Sequence, residues 1–304
     1  MNQANINNLL KHVENLSNSN NNNNNLLTKP ANYYLKDNFD PSRHSMPIQD
    51  EYKVAKIVKD VYFTMFPDKN GDTYPTSWIN PVIAFYREIR KERAKRLKGN
   101  IKTSMKGLNM YIVTASILRC VLISNHVHIP LHIYLHFFNN SLKRAQLKIS
   151  IKPISLESLE KYRLDTKKGI KRVLFKYVPS CYSLDVSPED FISYTAFSIL
   201  KFERPLVNDM KKIARSLGDT FPDSTSPSVI AIGILYIFSL IPNASKVDFQ
   251  AFGLTSYKLN KTAKMILLSD SAIIQGVIKK YELQNIQGVK RILYKPSDST
   301  KRKH

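Results

Sequence analysis

The sequence predicts an all-α protein: two tandem helical units with helix-turn-helix pairs, preceded by a disordered N-terminal tail. Three observations carry this. Apolar residues recur at spacings of three and four from Asp50 onward, as on the buried side of helices. Proline, Gly-Asn and Asn-Asn breaks punctuate these runs at helix-like lengths. Finally, one short basic segment occurs twice. Lys161-Tyr162-Arg163-Leu164 leads into Gly169-Ile170-Lys171-Arg172-Val173-Leu174-Phe175-Lys176, and Lys280-Tyr281-Glu282-Leu283 leads into Gly288-Val289-Lys290-Arg291-Ile292-Leu293-Tyr294-Lys295. The copies register without a gap at an offset of 119, and eight of sixteen aligned positions are identical, the mark of an internal duplication.

In each copy a short helix-forming run meets a break and then a basic amphipathic helix, the outline of a helix-turn-helix. Ile170, Val173, Leu174 and Tyr177 form one apolar side of the first copy, while Lys168, Lys171, Arg172 and Lys176 fall largely on the other. In the second copy Val289, Ile292 and Leu293 are apolar and Lys290, Arg291 and Lys295 are basic. A single helix of this kind reads equally well as a solvated surface. Duplication of the charge together with the core face favours phosphate contact.

A chain of 304 residues has room for two domains of ordinary size. Lys plus Arg outnumber Asp plus Glu by 46 to 24, a net charge of +22 with a pI near 9.8. A field of that sign attracts nucleic acid or an anionic membrane without defining a fold. The longest apolar run, Val229 to Ile241, is about thirteen residues where a membrane-crossing helix needs about twenty. The first residues are Asn-rich and polar, unlike a signal peptide. The only two cysteines, Cys120 and Cys181, supply neither a disulfide framework nor a four-thiolate zinc site, and point to a reducing compartment.

Residues 1–45 read as a disordered tail, because the Asn20–Asn25 run and its polar flanks bury too little apolar surface to offset ordering entropy. Residues 46–180 form the first unit. Val54, Ile57, Val58, Val61, Tyr62 and Met65 line one helix, ended by Pro67. The next runs from about Trp78 to Lys98 and is dense in positive charge at Arg87, Arg90, Lys91, Arg93, Lys95, Arg96 and Lys98, before Gly99-Asn100 stops it. The segment from about Ser104 to Ser124 is apolar enough for a central buried helix. His126, His128, His132 and His136 include an i, i+4 pair, but no Asp or Glu lies between Glu92 and Glu157 to support a metal. They read as titratable surface histidines on a helix flank. Asn139-Asn140 is expected to break that helix, with Ser141 to Ile151 forming another.

Tyr177 to Val186 reads as a linker, and residues 185–296 repeat the plan. Ser187-Pro188-Glu189-Asp190 combines a cap, proline at the first helical position and acids in the first turn. That helix is expected to reach about Phe202, and Glu203 to Leu217 follows. Pro227 opens the most apolar helix, ended by Pro242, and Val247 to Phe252 with Ser256 to Leu268 makes a helix pair before the second helix-turn-helix. Residues 297–304 are a basic tail.

At the two apolar helices the chain resembles transcription factor IIB and its relatives, whose core is two cyclin-type helical repeats. Leu97-Lys98-Gly99, followed by a helix carrying Met110-Tyr111-Ile112, is similar to the family's approach to its first central helix. Pro227-Ser228-Val229-Ile230-Ala231-Ile232-Gly233-Ile234-Leu235-Tyr236 is similar to the second-repeat counterpart. Pro153, Ser155, Leu156 and Leu159, then Thr166-Lys167-Lys168, Ile170 and Arg172, resemble the last two helices of the first repeat. The likeness covers most of residues 78–295. The chain departs from the family in lacking the cysteines of the zinc ribbon that docks on RNA polymerase, in an extra helix pair per unit (about 130–151 and 247–268), and in residues such as Lys106. The resemblance implies a divergent member, of the kind a large DNA virus or an AT-biased genome would encode.

What it implies is a non-catalytic, cofactor-free initiation factor binding double-stranded promoter DNA beside the TATA-binding protein and helping to recruit RNA polymerase. Its place would be the nucleus, or a virion or viral factory in the host cytoplasm. By position, the reading helix would begin near Gln284 and include Gln287, Lys290 and Arg291, with Lys295 after them. Lys168, Lys171, Arg172 and Lys176 would clamp the backbone, and Arg90, Arg93, Arg96 and Lys98 would steer phosphates. Lys and Arg bind phosphates in any sequence, while Arg and Gln also read base edges. Two other classes stand beside this one: a cyclin-fold interaction scaffold whose charge serves solubility or binds nucleic acid without specificity, and a nucleic-acid enzyme. The scattered carboxylates and the absence of an oriented His–acid pair argue against the enzyme.

Overall fold

The structure, a computed structural model, describes residues 31–35, 38–66, 76–96, 105, 108–144, 152–160, 187–217, 221–222 and 225–294. It is all-α, with no strand among the described residues. The chain divides into two compact units, one of Met1–Val127 with Phe137–Asp185 and one of His128–His136 with Val186–His304.

In the first unit a short helix α1 (Ala31–Tyr34) precedes α2 (Met46–Met65), α3 (Thr76–Arg96) and α4 (Met110–Ser124). The long α2 buries Val54, Ile57, Val58, Val61 and Met65, the spacing the sequence led one to expect. Helix α4 starts at an Asn109 cap whose side chain accepts from the backbone N–H of Tyr111 and Ile112, and it is buried without interruption from Val113 to Ile123. It packs against α2, α3 and α6 (Leu156–Glu160), so it is the central helix.

Three expectations are corrected in this part of the chain. The tail does not extend to residue 45. Tyr34 is fully buried, and Phe39 stacks between His44 and Tyr52, so residues 33–35 and 38–45 join the folded unit through aromatic burial that a polar composition average conceals. Asn139-Asn140 does not break a helix either, since α5 runs uninterrupted from Leu131 to Arg144. Asn139 Nδ2 donates to the Ile154 carbonyl (3.0 Å) and its Oδ1 accepts from the Ile154 N–H (2.8 Å), so the side chain pairs with a loop and leaves its own helix intact. Nor are the histidines a surface set: His126 is exposed, but His128, His132 and His136 are half-buried.

The second unit contains α7 (Pro188–Tyr194), extended by a π-helical turn Thr195–Ile199, then α8 (Arg204–Ser216), α9 (Pro227–Ser239), α10 (Ser256–Leu267), α11 (Ala272–Lys280) and α12 (Gln287–Tyr294). The expected start of α7 is a full capping box, with Ser187 and Asp190 exchanging side-chain and backbone bonds. Helix α9, buried at Ile230–Leu235, Ile237 and Phe238, is the centre on which α7, α8 and α10 pack. Gly233 permits a close crossing with α10: a Cβ there would lie 2.5 Å from Thr262 Cγ2. Residues 247–252, expected as half of a helix pair, form no helix, and their bends and turns bury Phe249.

Candidate nucleic-acid interface

The second duplicated segment closes the second unit as a helix-turn-helix whose first member lies earlier than its sequence suggests. Lys280-Tyr281-Glu282-Leu283 is the end of α11 and the turn, not a helix of its own. Ile274, Val277 and Ile278 seat α11 on the core, and Leu283, fully buried, pins the turn beneath it. Glu282 adopts a left-handed conformation (φ 46°), which reverses the chain before a single 3-10 turn, Leu283–Asn285. Helix α12 then buries Val289 and Ile292. Gly288 lets it approach the end of α9, because a Cβ would stand 3.1 Å from Leu240 Cδ2.

The pair is held by a buried carboxylate that no sequence pattern indicated. Asp209 of α8, 3% exposed, accepts from Lys280 Nζ (2.5 Å), Tyr281 Oη (2.8 Å) and Lys212 Nζ (2.9 Å). Burial alone would push its pKa up, but the bonds from Lys280, Lys212 and Tyr281 prevail and hold it at about 2. The Tyr281 ring also meets Phe238 of α9 edge-on at 5.8 Å. Lys280 and Tyr281 are therefore anchors, although they read in the sequence as part of a charge motif.

With the core side fixed, the opposite side of α12 is exposed. Gln287, Lys290 and Arg291 all face out, at spacings of three and four that place them on one face. Neither Lys290 nor Arg291 has an ion-pair partner among the described residues. Lys279 at the end of α11 is exposed too, as are Lys258 and Lys261 of α10. Lysine and arginine on neighbouring exposed helices, with no ion pair to a carboxylate among the described residues, are what phosphate contact requires.

The other expected positions fare differently. Arg90 is no phosphate ligand. It is 2% exposed, donates to Glu51 Oε1 (3.1 Å) and the Pro47 carbonyl (3.3 Å), and lies over the Tyr86 ring at 5.1 Å. Its neighbour Arg87 donates to Glu51 Oε2 from Nε (3.0 Å) and Nη2 (2.8 Å), and Tyr34 Oη donates to the same oxygen at 2.6 Å. Burial, and then Glu51, push the Tyr34 hydroxyl well above its ordinary pKa. Two of the charges on α3 thus serve an interior pairing with a single buried acid. Arg93 is half-buried, and Arg96 ends α3. Lys98, Lys168, Lys171, Arg172, Lys176 and Lys295 lie outside the described residues. Just before the first copy, Leu156–Glu160 is described; its Leu159 is fully buried, and Ile278, at the same offset in α11, is buried as well.

His132 lines a small cavity with Gly233, Lys258 and Thr262, where burial and then the Lys258 charge lower its pKa. No cluster of three or more metal-ligating side chains occurs among the described residues, and no helix among them is long and apolar enough to cross a membrane. No protein-family model, curated protein or solved structure matches the chain.

Proposed function

We propose that this protein is a non-catalytic, promoter-binding transcription initiation factor of the transcription factor IIB type, joining double-stranded DNA and TATA-binding protein to RNA polymerase. The observation that carries the reading is the helix-turn-helix of the second unit. Its core side is locked by Val289, Ile292 and the Asp209 anchor, leaving Gln287, Lys290 and Arg291 exposed on the other face. A second helix presented in this manner fits the major groove of a duplex. The tandem arrangement of two helical units around apolar central helices, and the duplication of the closing segment, support the family reading.

Lys290→Glu combined with Arg291→Glu tests it. Both side chains are exposed, so the fold should survive, while two phosphate-seeking charges become repulsive. In a mobility-shift series, wild-type affinity should fall steeply with salt, and the double variant should bind several-fold more weakly with a shallower slope, by roughly one unit per lost contact. Unchanged affinity would remove the interface. Promoter fragments bound no better than random duplex would leave a non-specific nucleic-acid-binding protein. Co-purification of polymerase subunits or a TATA-binding protein from native extract tests the partners.

A further inference from the structure

Three carboxamides crowd the start of α12. Gln284 and Asn285 occupy the 3-10 turn and Gln287 the first helical position, and all three are exposed. Among the described residues their side chains make no hydrogen bond. Several amides elsewhere in the fold are committed: Gln275 Nε2 donates to the Ser269 carbonyl (2.9 Å), Asn139 is paired with Ile154, and Gln49 Nε2 donates to the His44 carbonyl (2.8 Å). The three at α12 lie beside Lys290 and Arg291, on or next to a helix whose rotation is fixed by Val289, Ile292 and the close seat of Gly288.

We infer that Gln287, with Asn285 beside it, reads adenine in the major groove, so that the preferred element carries A·T pairs beneath the start of α12. This rests on the DNA-binding reading above and adds to it the class of sequence recognised. A carboxamide offers one donor and one acceptor side by side. Adenine presents the complement there, an N7 acceptor beside an N6 donor, whereas guanine presents two acceptors and matches arginine. In helix-turn-helix proteins the residues at the start of the second helix contact base edges. In this helix they are amides. Arg291 lies about one turn further along, roughly 5–6 Å away, and with Lys290 serves the backbone. The Glu282 turn and buried Leu283 keep Asn285 in a fixed position relative to Gln287.

The test is selection of binding sites from a randomised duplex library by the whole chain, for wild type and for the Gln287→Ala, Asn285→Ala and Gln287→Arg variants, with helical content checked by circular dichroism. Wild type should enrich A·T at one or two adjacent positions. Gln287→Ala should lose that enrichment, with affinity for the selected site down about ten-fold and affinity for random duplex nearly unchanged. Gln287→Arg should shift the same position towards G·C. Enrichment of G·C by wild type, or an A·T preference untouched by all three variants, overturns the inference while leaving DNA binding in place. Absence of any duplex binding at low salt overturns the DNA-binding reading itself.

Discussion

Replacing Glu51 by alanine separates structural arginines from functional ones. The Glu51 carboxylate is 3% exposed and accepts four hydrogen bonds, from Tyr34, twice from Arg87 and from Arg90. Arg87 is 12% exposed and keeps Tyr34 Oη at 3.0 Å, but Arg90, 3% exposed, would lose its ion-pair partner and retain the Pro47 carbonyl, Tyr86 and the charge of Asp50. Removing one partner of a buried pair strands the other charge, at a cost of about 3–5 kcal/mol. With a urea m-value near 2 kcal/mol/M, that lowers the unfolding midpoint by about 2 M. Trp78 is the only tryptophan of the chain and touches Tyr62 and Phe66 across the α2–α3 pair, so its fluorescence reports on the two helices that Glu51 joins. Arg90→Met should leave the salt dependence of DNA binding as it is in wild type. A loss below about 1 kcal/mol for Glu51→Ala, or a salt slope reduced by about one in Arg90→Met, would refute the interior assignment.

Asp209→Asn should destabilise the protein by about 1–2 kcal/mol at neutral pH, discounting the Coulomb gain because Lys280 and Lys212 are half-exposed. The folded pKa of about 2 lies below the unfolded value near 3.9, so this stability is present above about pH 4 and drains as pH falls towards 2, about half of it gone at pH 3. Urea titrations followed by circular dichroism should therefore converge for wild type and variant on acidification, and parallel curves would count against the anchor. Gly233→Ala drives a methyl into Thr262 Cγ2 and should cost about 1–3 kcal/mol of overpacking, offset by the roughly 1 kcal/mol gained on replacing glycine in a helix. Adding Thr262→Ala should recover much of the loss, and no recovery would mean that the crossing is not the cause.

Local signals in the sequence are sufficient where a few neighbouring residues decide the outcome. Ser187 with Asp190 and Pro188 starts α7, Pro227 starts α9, and the spacing of Val54, Ile57, Val58 and Val61 gives the buried side of α2. Such signals mislead where the deciding partner is distant in the chain. Asn139 reads as a helix breaker until its amide is seen paired with Ile154, fifteen residues on. Tyr34 belongs to a polar tail until Glu51 and Arg87 are placed around its hydroxyl. Asp209 is one acid on a basic helix, and its role depends on Lys280 and Tyr281, more than seventy residues away. At the candidate interface, the face formed by Lys290 and Arg291 was legible from periodicity, whereas the structural use of Lys280 was not.

The same distinction decides how a net charge of +22 should be read. Among the described helices α3 is the most basic, yet it spends Arg87 and Arg90 on one buried glutamate. Arginine suits that task, since its planar guanidinium is weakly hydrated and satisfies several acceptors at once. The exposed cations of α10, α11 and α12 are mostly lysines, whose compact and strongly hydrated ammonium groups resist burial. Arg291 is the arginine that remains exposed among them, on the helix that also carries the free amide of Gln287. Net charge therefore locates no interface by itself. What singles out α12 is that an exposed arginine, a lysine and an amide share one face of a helix whose orientation the core has already fixed.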